Sequence, residues 1–399
     1  MTTLTLPDTQ REALIAAAQG RREPEWLIAK RAEAWDVLAS MPVPDWRRTD
    51  LSGLDLGQVV ATARPAEVEL VGAAAAAAAG ASFMTFEEAL AAHEAIVLRT
   101  LDTAVKPLEH RYSALRAAYW QGGAFLYVPK NTVIAEPLQV TYRLSDGAAV
   151  MPRTLVVLEA GASVTLVEQY ISQQAGGFAG PISELIVGQN ANLGFISIQR
   201  WAEGVTHIGG QLALLDRDAG LKWTSIALGG QTQHIEAETR MVGNGSHVNW
   251  LGATFAGGTQ RLLTAPWLRH VGFNCDSFMQ FKTVVNEHGY SVFDGMIKIE
   301  HDSKATSTRL EEHALHLNPE ARNDSIPGLM IDTNDVLKGG HASTSGDVDD
   351  EQLFYMQARG LSRTEAQRMI VMGFFDPALA TIPFESLREE ITDAVEARI

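Results

Sequence analysis

The sequence predicts a mainly β chain, a β-solenoid core held between two helical ends. Three observations predict it. The apolar period changes from about 3.6 to 2 near Ala124, four similar words recur at nearly constant spacing through the middle, and helical spacing returns after Gly346.

Residues 1–119 read as an N-terminal helical region. Ala13, Leu14, Ala17 and Ala18 fall at helical spacing, and "EPEWLIAKRAEAWDVLASM" places Trp26, Leu27, Ala34 and Leu38 near one face. Prolines and Gly53 in "PVPDWRRTDLSGLDL" (42–56) break that pattern. The alanine tract "VGAAAAAAAGA" (71–81) reads as a low-complexity connector, and "TFEEALAAHEAIVLRTL" (85–101) as a second helical stretch.

Residues 120–346 form the predicted core. Short apolar runs appear there, among them "AFLYV", "LQVTYRL" and "TLVVLEAGASVTLVEQYI". The words "GASVTL" (161–166), "NANLGF" (190–195), "DAGLKW" (218–223) and "GSHVNW" (245–250) share one form: a turn residue, two mostly small residues, then apolar-x-apolar. Their first strand residues, Val164, Leu193, Leu221 and Val248, are 29, 28 and 27 positions apart. A unit of a few short strands cannot bury a face alone, whereas stacked units bury one continuous core with these four residues in a single inward stripe. An antiparallel sandwich whose hairpins recur at regular spacing is the competing architecture. The repeat fades after about residue 255, and "GLMIDTNDVLKGGHA" reads as a last rung.

Residues 347–399 read as a separate helical domain. "DVDDEQLFYMQARG" carries acidic residues in its first turn and Gly360 just past its end, as helix dipole and C-cap favour. Ser362 and Glu365 make a capping-box pattern that opens a helix with Ala366, Met369, Ile370 and Gly373 at helical spacing. "ESLREEITDAVEARI" is the last helix. The apolar surface spread over 353–375 fits either a helix core or a docking patch for a partner.

Composition excludes several function classes. A net charge of −16 without a Lys/Arg run argues against nucleic acid and anionic membrane surfaces. No apolar run reaches the roughly 18 residues of a membrane span, and the N-terminus lacks a leader pattern. Cys275 is the only cysteine, which rules out an intrachain disulfide and leads us to expect a cytoplasmic setting. There is no phosphate-binding loop, GxSxG elbow or HExxH motif. His313 and His316, beside Glu311 and Glu312, suit a metal only on a helix, because residues three apart on a strand face opposite ways. Cys275 in "FNCDSF" reads as a small core residue. His341 differs from these: Gly339, Gly340, Ala342 and Ser343 surround it, so its ring is expected to be accessible.

The tail "GGHASTSGDVDDEQLFYMQARGLSRTEAQRMIVMGF" resembles the signature of the SUF-system iron–sulfur cluster assembly scaffolds, the SufB/SufD family. "EPEWLIAKRAEAW" and "PVPDWRRTDL" are similar to the amino-terminal region of its SufD branch, and "YSVFDGMIKIEHDSKATSTRLEEHALHL" to the family's last β-helical rungs. The resemblance implies a right-handed parallel β-helix and a non-catalytic scaffold subunit. It further implies that the end of the β-helix pairs with a SufB-like paralogue, while the C-terminal helices dock SufC, an ABC-type ATPase, through Leu353, Phe354, Tyr355, Arg359, Met369, Ile370 and Phe374. His341 is then the candidate ligand for a transient iron–sulfur cluster shared with the paralogue. With one cysteine, the chain alone is expected to hold no cluster, and a purely structural homodimer of the chain alone is a third reading. Leu310 stands where SufB-like chains carry an assembly cysteine, Gly340–His341–Ala342 where they carry a charged triplet, and Gly339 where some SufD chains carry a cysteine. These departures favour the SufD branch. The alternative function is a β-helix enzyme acting on carbohydrate, which needs paired carboxylates or a metal on the solenoid face and usually an exported chain.

Overall fold

Each turn of the core pivots on a residue in the left-handed region, and the first letters of the four repeated words are those residues. Gly161, Asn190, Asp218 and Gly245 have φ of 72°, 54°, 55° and 71°, a conformation that glycine, asparagine and aspartate adopt at least cost. Their N–H groups donate to Gln189, Arg217, Asn244 and Phe273, each one turn further on, at 2.8–3.0 Å. The corner is therefore itself a ladder between turns.

The computed structural model describes residues 8–145, 147–173 and 176–399; the first seven residues, part of the stretch read for a leader, lie outside them. Among the described residues the strands form a fourteen-stranded and a nine-stranded sheet, facing each other in a β-solenoid of about eight turns. From Gly123–Val128 and Leu138–Leu144 onward, each strand pairs in parallel with its counterpart one turn away. Val164, Leu193, Leu221 and Val248 stand in one register column and are all buried, as the repeat predicts. The antiparallel sandwich is thereby excluded.

The repeat does not stop near residue 255. The same column continues through Ser277, Thr308 and Gly339, by residue number 29, 31 and 31 positions on. Its sequence signal is lost because the column position turns polar and the corner passes to Asn274 and then to Ala305, which is no usual turn residue yet has φ 52°.

A neighbouring column fills the lumen. Leu138, Leu166, Phe195, Trp223, Trp250, Met279 and Leu310 lie in register and are buried. Trp223 and Trp250 stack with centroids 4.1 Å apart and ring planes at 9°. Gly252 makes room for Phe281 beside them, since a Cβ there would sit 2.1 Å from the Phe281 ring.

The N-terminal region closes one end of the solenoid. Helix Glu25–Ser40 buries Leu27, Ala34, Trp35 and Leu38, whereas Trp26 stays half-buried with its Nε1 donating to Glu94 at 3.0 Å. The stretch 71–81 is no mere connector. It holds helix Ala73–Ala78 between strands Glu67–Val71 and Ser82–Thr85, which pair antiparallel with the first strands of the two sheets. The stretch 85–101 forms two helices, Phe86–Ala92 and Glu94–Thr100, that break at His93. Arg153, fully buried, joins this region to the core: it donates to Asp102 and Glu184 at 2.5 Å, and Glu184 also accepts the N–H groups of Asp102, Ala104 and Val105.

The C-terminal helices share a core with the solenoid, so the tail is less separate than the sequence suggests. Val371, Phe375, Ala378, Leu387 and Ile391 pack on Ile196, Ile198, Ile226, Phe255 and Val284, the outward residues of the nine-stranded sheet. Strands covered on both faces carry near-continuous apolar runs, which hides the second face from an alternation-based reading. No helix among the described residues is long and apolar enough to cross a membrane.

Leu221→Ala tests the column directly. Removing a fully buried leucine from a packed lumen is expected to cost about 2–5 kcal/mol, read as a lower urea midpoint. A loss under about 1 kcal/mol, as at an uncrowded surface site, would show that the column is not the core.

Candidate functional site

At the C-terminal end of the solenoid the stacking stops. Strand Val336–Asp347 pairs on one side only, with Thr306–His316, and is mostly exposed. Arg322–Ser325 and Gly328–Ile331 likewise lie last in the opposite sheet. Their outer backbone groups have no further turn to pair with, and such an edge is a template for another strand.

His341 lies opposite Leu310 in the ladder and so takes the last place of the lumen column that starts at Leu138. Gly339, two residues before, takes the last place of the Val164 column. A Cβ there would meet Leu329, Ile331 and Val336 at ordinary contact distances, and one on Gly340 would meet nothing. The ring is exposed, as its small neighbours suggest.

One hydrogen bond orients it: His341 Nδ1 is 2.7 Å from the carbonyl oxygen of Pro327. A carbonyl only accepts, so Nδ1 carries the proton. Nε2 has no hydrogen-bond partner among the described residues, and in the neutral ring it is the nitrogen that carries the lone pair. A backbone carbonyl holding one ring nitrogen while the other is presented is the usual posture of a metal-ligating imidazole.

Beneath this rung lies a carboxyl that stood out in the sequence only as a neighbour of His313 and His316. Glu312 is fully buried, in register with Ser343. Asn323 Nδ2 donates to it at 3.4 Å, and Ser343 Oγ lies 3.2 Å from it and 2.7 Å from Ser325 Oγ across the lumen. Burial pushes the Glu312 carboxyl above its usual range, against the lowering effect of these hydroxyl and amide donors. Alternation is the signal that could have found it: Leu310, Glu312 and Ala314 share the inward face, whereas Glu311 and His313 point out. His313 and His316 hydrogen-bond instead to Thr344 and Ser345, at 2.7 and 2.9 Å. Neither they nor any other His, Cys, Asp or Glu cluster among the described residues has a metal-holding arrangement. Cys275 is buried in the core near Ser246, as expected.

The structure divides the proposed docking residues. Leu353 is buried with Val348 and Ala366, and Ile370 packs against them half-buried. Phe374 lies half-buried against the sheet, with Lys282 Nζ 4.9 Å from its ring centroid. Phe354, Tyr355 and Met369, in contrast, are 74, 60 and 57% exposed. Arg359 donates to the Tyr355 hydroxyl at 2.7 Å and lies over its ring, which holds the Tyr355 side chain in place.

Sequence comparison places these features. The family described as SUF system FeS cluster assembly, SufBD core domain, matches residues 142–374. The chain belongs to the SufBD family. The Bacillus subtilis iron-sulfur cluster assembly protein SufD is 32% identical over 74% of this chain and 68% of its own length. An iron-sulfur cluster assembly SufBD family protein of Staphylococcus saprophyticus is 27% identical over 92% of this chain and 88% of its own, and one of Staphylococcus aureus is 26% identical over the same shares. The SufBD match runs from the first turns of the solenoid into the helix Arg363–Leu379, and so includes His341 and the exposed face around Phe354.

The buried carboxyl makes a pH prediction. A group whose folded pKa is raised favours the folded state below its ordinary value and opposes it as pH rises through the folded value. Glu312→Gln, which matches the protonated acid in shape, should therefore gain stability over wild type at pH 7 relative to pH 4. The difference in urea midpoints between the two proteins reads this; a difference that is the same at both values would overturn the assignment.

Proposed function

We propose that the chain is a SufD-like, non-catalytic scaffold subunit of a cytoplasmic SufBCD complex for iron–sulfur cluster assembly. The observation that carries this reading is the last rung. It combines an unpaired edge with an imidazole at the end of an otherwise apolar lumen column, held by Pro327 so that Nε2 is free. A SufB-like paralogue would add its own terminal strand to this edge, with main-chain hydrogen bonds supplying affinity. His341 would then face the paralogue's cysteine and lend one nitrogen ligand to a nascent cluster, which is cargo of the complex and not a resident cofactor.

The exposed aromatic face of helix Asp350–Ala358 is the proposed seat of the SufC ATPase. Phe354 and Tyr355 offer apolar area, Met369 on the following helix extends it, and the acidic first turn supplies charges that set register.

Two measurements test this. In the complex isolated anaerobically, His341→Ala should leave stability and subunit composition unchanged, since an exposed histidine contributes little to folding, while cluster content falls sharply. His341→Cys, which supplies a softer ligand at the same place, should retain more cluster than alanine. Wild-type cluster levels in His341→Ala would sink the ligand role. Separately, Phe354→Ala and Tyr355→Ala should each weaken ATPase binding in calorimetry by about tenfold or more, as loss of an exposed aromatic anchor does. Unchanged affinity in both variants would place the ATPase elsewhere.

A further inference from the structure

A cleft of about 510 Å³ lies outside the lumen, between the N-terminal region and the outer face of the fourteen-stranded sheet. Its floor is shaped by register: Gly210, Glu236 and Ala265 form one row, and Leu212, Glu238 and Trp267 the next. Its roof is held firmly. Trp46 stacks on His234 with centroids 3.6 Å apart, Thr49 Oγ1 is 2.8 Å from His234 Nδ1, and Glu184 accepts the backbone at Asp102, Ala104 and Val105.

Acids and bases in this cleft are unequally satisfied. Glu236 is 2.9 Å from His110 Nε2; despite burial, that bond and the Arg116 charge hold its carboxyl down to about 2. Glu238 accepts from Arg240 at 2.6 Å, and Glu109 from Lys106 at 3.3 Å. Asp45 lies in the roof, and burial makes Asp294 a weaker acid than usual. The guanidiniums, by contrast, have only long contacts. Arg116 is buried, reaches Ile208 O and Glu236 at 3.4 Å, and has an unpartnered Nε. Arg269 lies 3.5 and 3.6 Å from Glu238 and Glu300, also with no hydrogen bond at Nε. Arg48 is 3.7 Å from Asp324, and Arg47 beside it is exposed. Gly210 is what admits Arg116, because a Cβ there would lie 3.2–3.3 Å from three atoms of the guanidinium.

Five cations and five carboxylates line the cleft, so it lacks the net negative charge of the chain as a whole, and four of its arginines keep donors that no carboxylate takes up at close range. Planar guanidinium forks match phosphate and carboxylate groups. We propose that this cleft binds a small polyanion bearing two or more phosphate or carboxylate groups, with Arg47, Arg48, Arg116 and Arg269 as donors and the Trp267 indole as a wall. The site stands apart from His341 and from the exposed face around Phe354, so it is independent of the function proposed above.

Calorimetric titration of the full chain at low ionic strength, with inorganic pyrophosphate and separately with citrate, tests the proposal. Saturable one-site binding of at least one probe is expected, and the tighter of the two tells phosphate from carboxylate recognition. The double variant Arg47→Ala/Arg48→Ala should weaken that binding by about tenfold or more. Arg388→Ala, on the exposed side of the last helix, should leave it unchanged. Absence of saturable binding with both probes, or equal weakening by Arg388→Ala, would overturn the site.

Discussion

A parallel solenoid can satisfy its strands only through the turns above and below, and the rest of this molecule follows from that constraint. Within one turn no strand pairs with another of the same sheet, so every interior N–H and C=O depends on a neighbouring rung. The corners obey the same rule, with Gly161, Asn190, Asp218 and Gly245 each bonded one turn on. Such a stack has no natural terminus. At its start the chain solves this by turning two strands, Glu67–Val71 and Ser82–Thr85, antiparallel across the opening. At its end it does not, and the unpaired rung that remains is the place where a second chain gains most by adding a strand.

The lumen explains why a histidine can occupy that end. In mid-stack an imidazole is shut off from solvent: His207 is fully buried, and desolvation presses its pKa down to about 3. Such a group is confined to the neutral form and shut away from any second chain. His341 stands at the end of an equivalent inward column, but with no rung above it. His341 keeps the register place of Leu310 yet its ring stays exposed, and Pro327 fixes which nitrogen is presented. Position in the stack, more than residue type, separates an inert histidine from an available one.

This also sets how much was legible in the sequence. Turn residues and the first inward position repeat because each must meet left-handed φ and a packed lumen, so the words from Gly161 to Trp250 betray the solenoid directly. Past Val248 the same places are filled by Ser277, Thr308 and Ala305, which satisfy the geometry without the usual chemistry, and the period vanishes from view. Of the site, the accessibility of His341 was readable from its glycine context, whereas Phe354, Tyr355 and Met369 came as docking residues with the family resemblance, since spacing alone left the 353–375 surface open between helix core and docking patch. Glu312 and the Pro327 carbonyl were not, because each acts across the lumen or between rungs, at separations of 31 and 14 residues that no local pattern encodes. The arginine cleft was equally hidden: Arg47 and Arg116 meet Arg269 only once the N-terminal region lies against the sheet.

The placement of the helical tail gives the open end a mechanical neighbour. Leu353 and Val348 pack with Ala366 against Leu315 and Leu317. Leu315 belongs to Thr306–His316, the strand that bears Glu312 and supports His341 from below, while Val348 follows directly on the terminal strand. Phe354 and Tyr355 are the next residues on the same helix turn, facing outward. A partner that pulled on those two rings would load Leu353, and through it both the last two rungs and the helix Arg363–Leu379. Packed side chains shift between discrete arrangements and resist continuous deformation. Movement of this short helix would therefore reach the pairing edge within one layer of contacts, and under the proposed function that layer is the whole path between the ATPase seat and the place of the cluster.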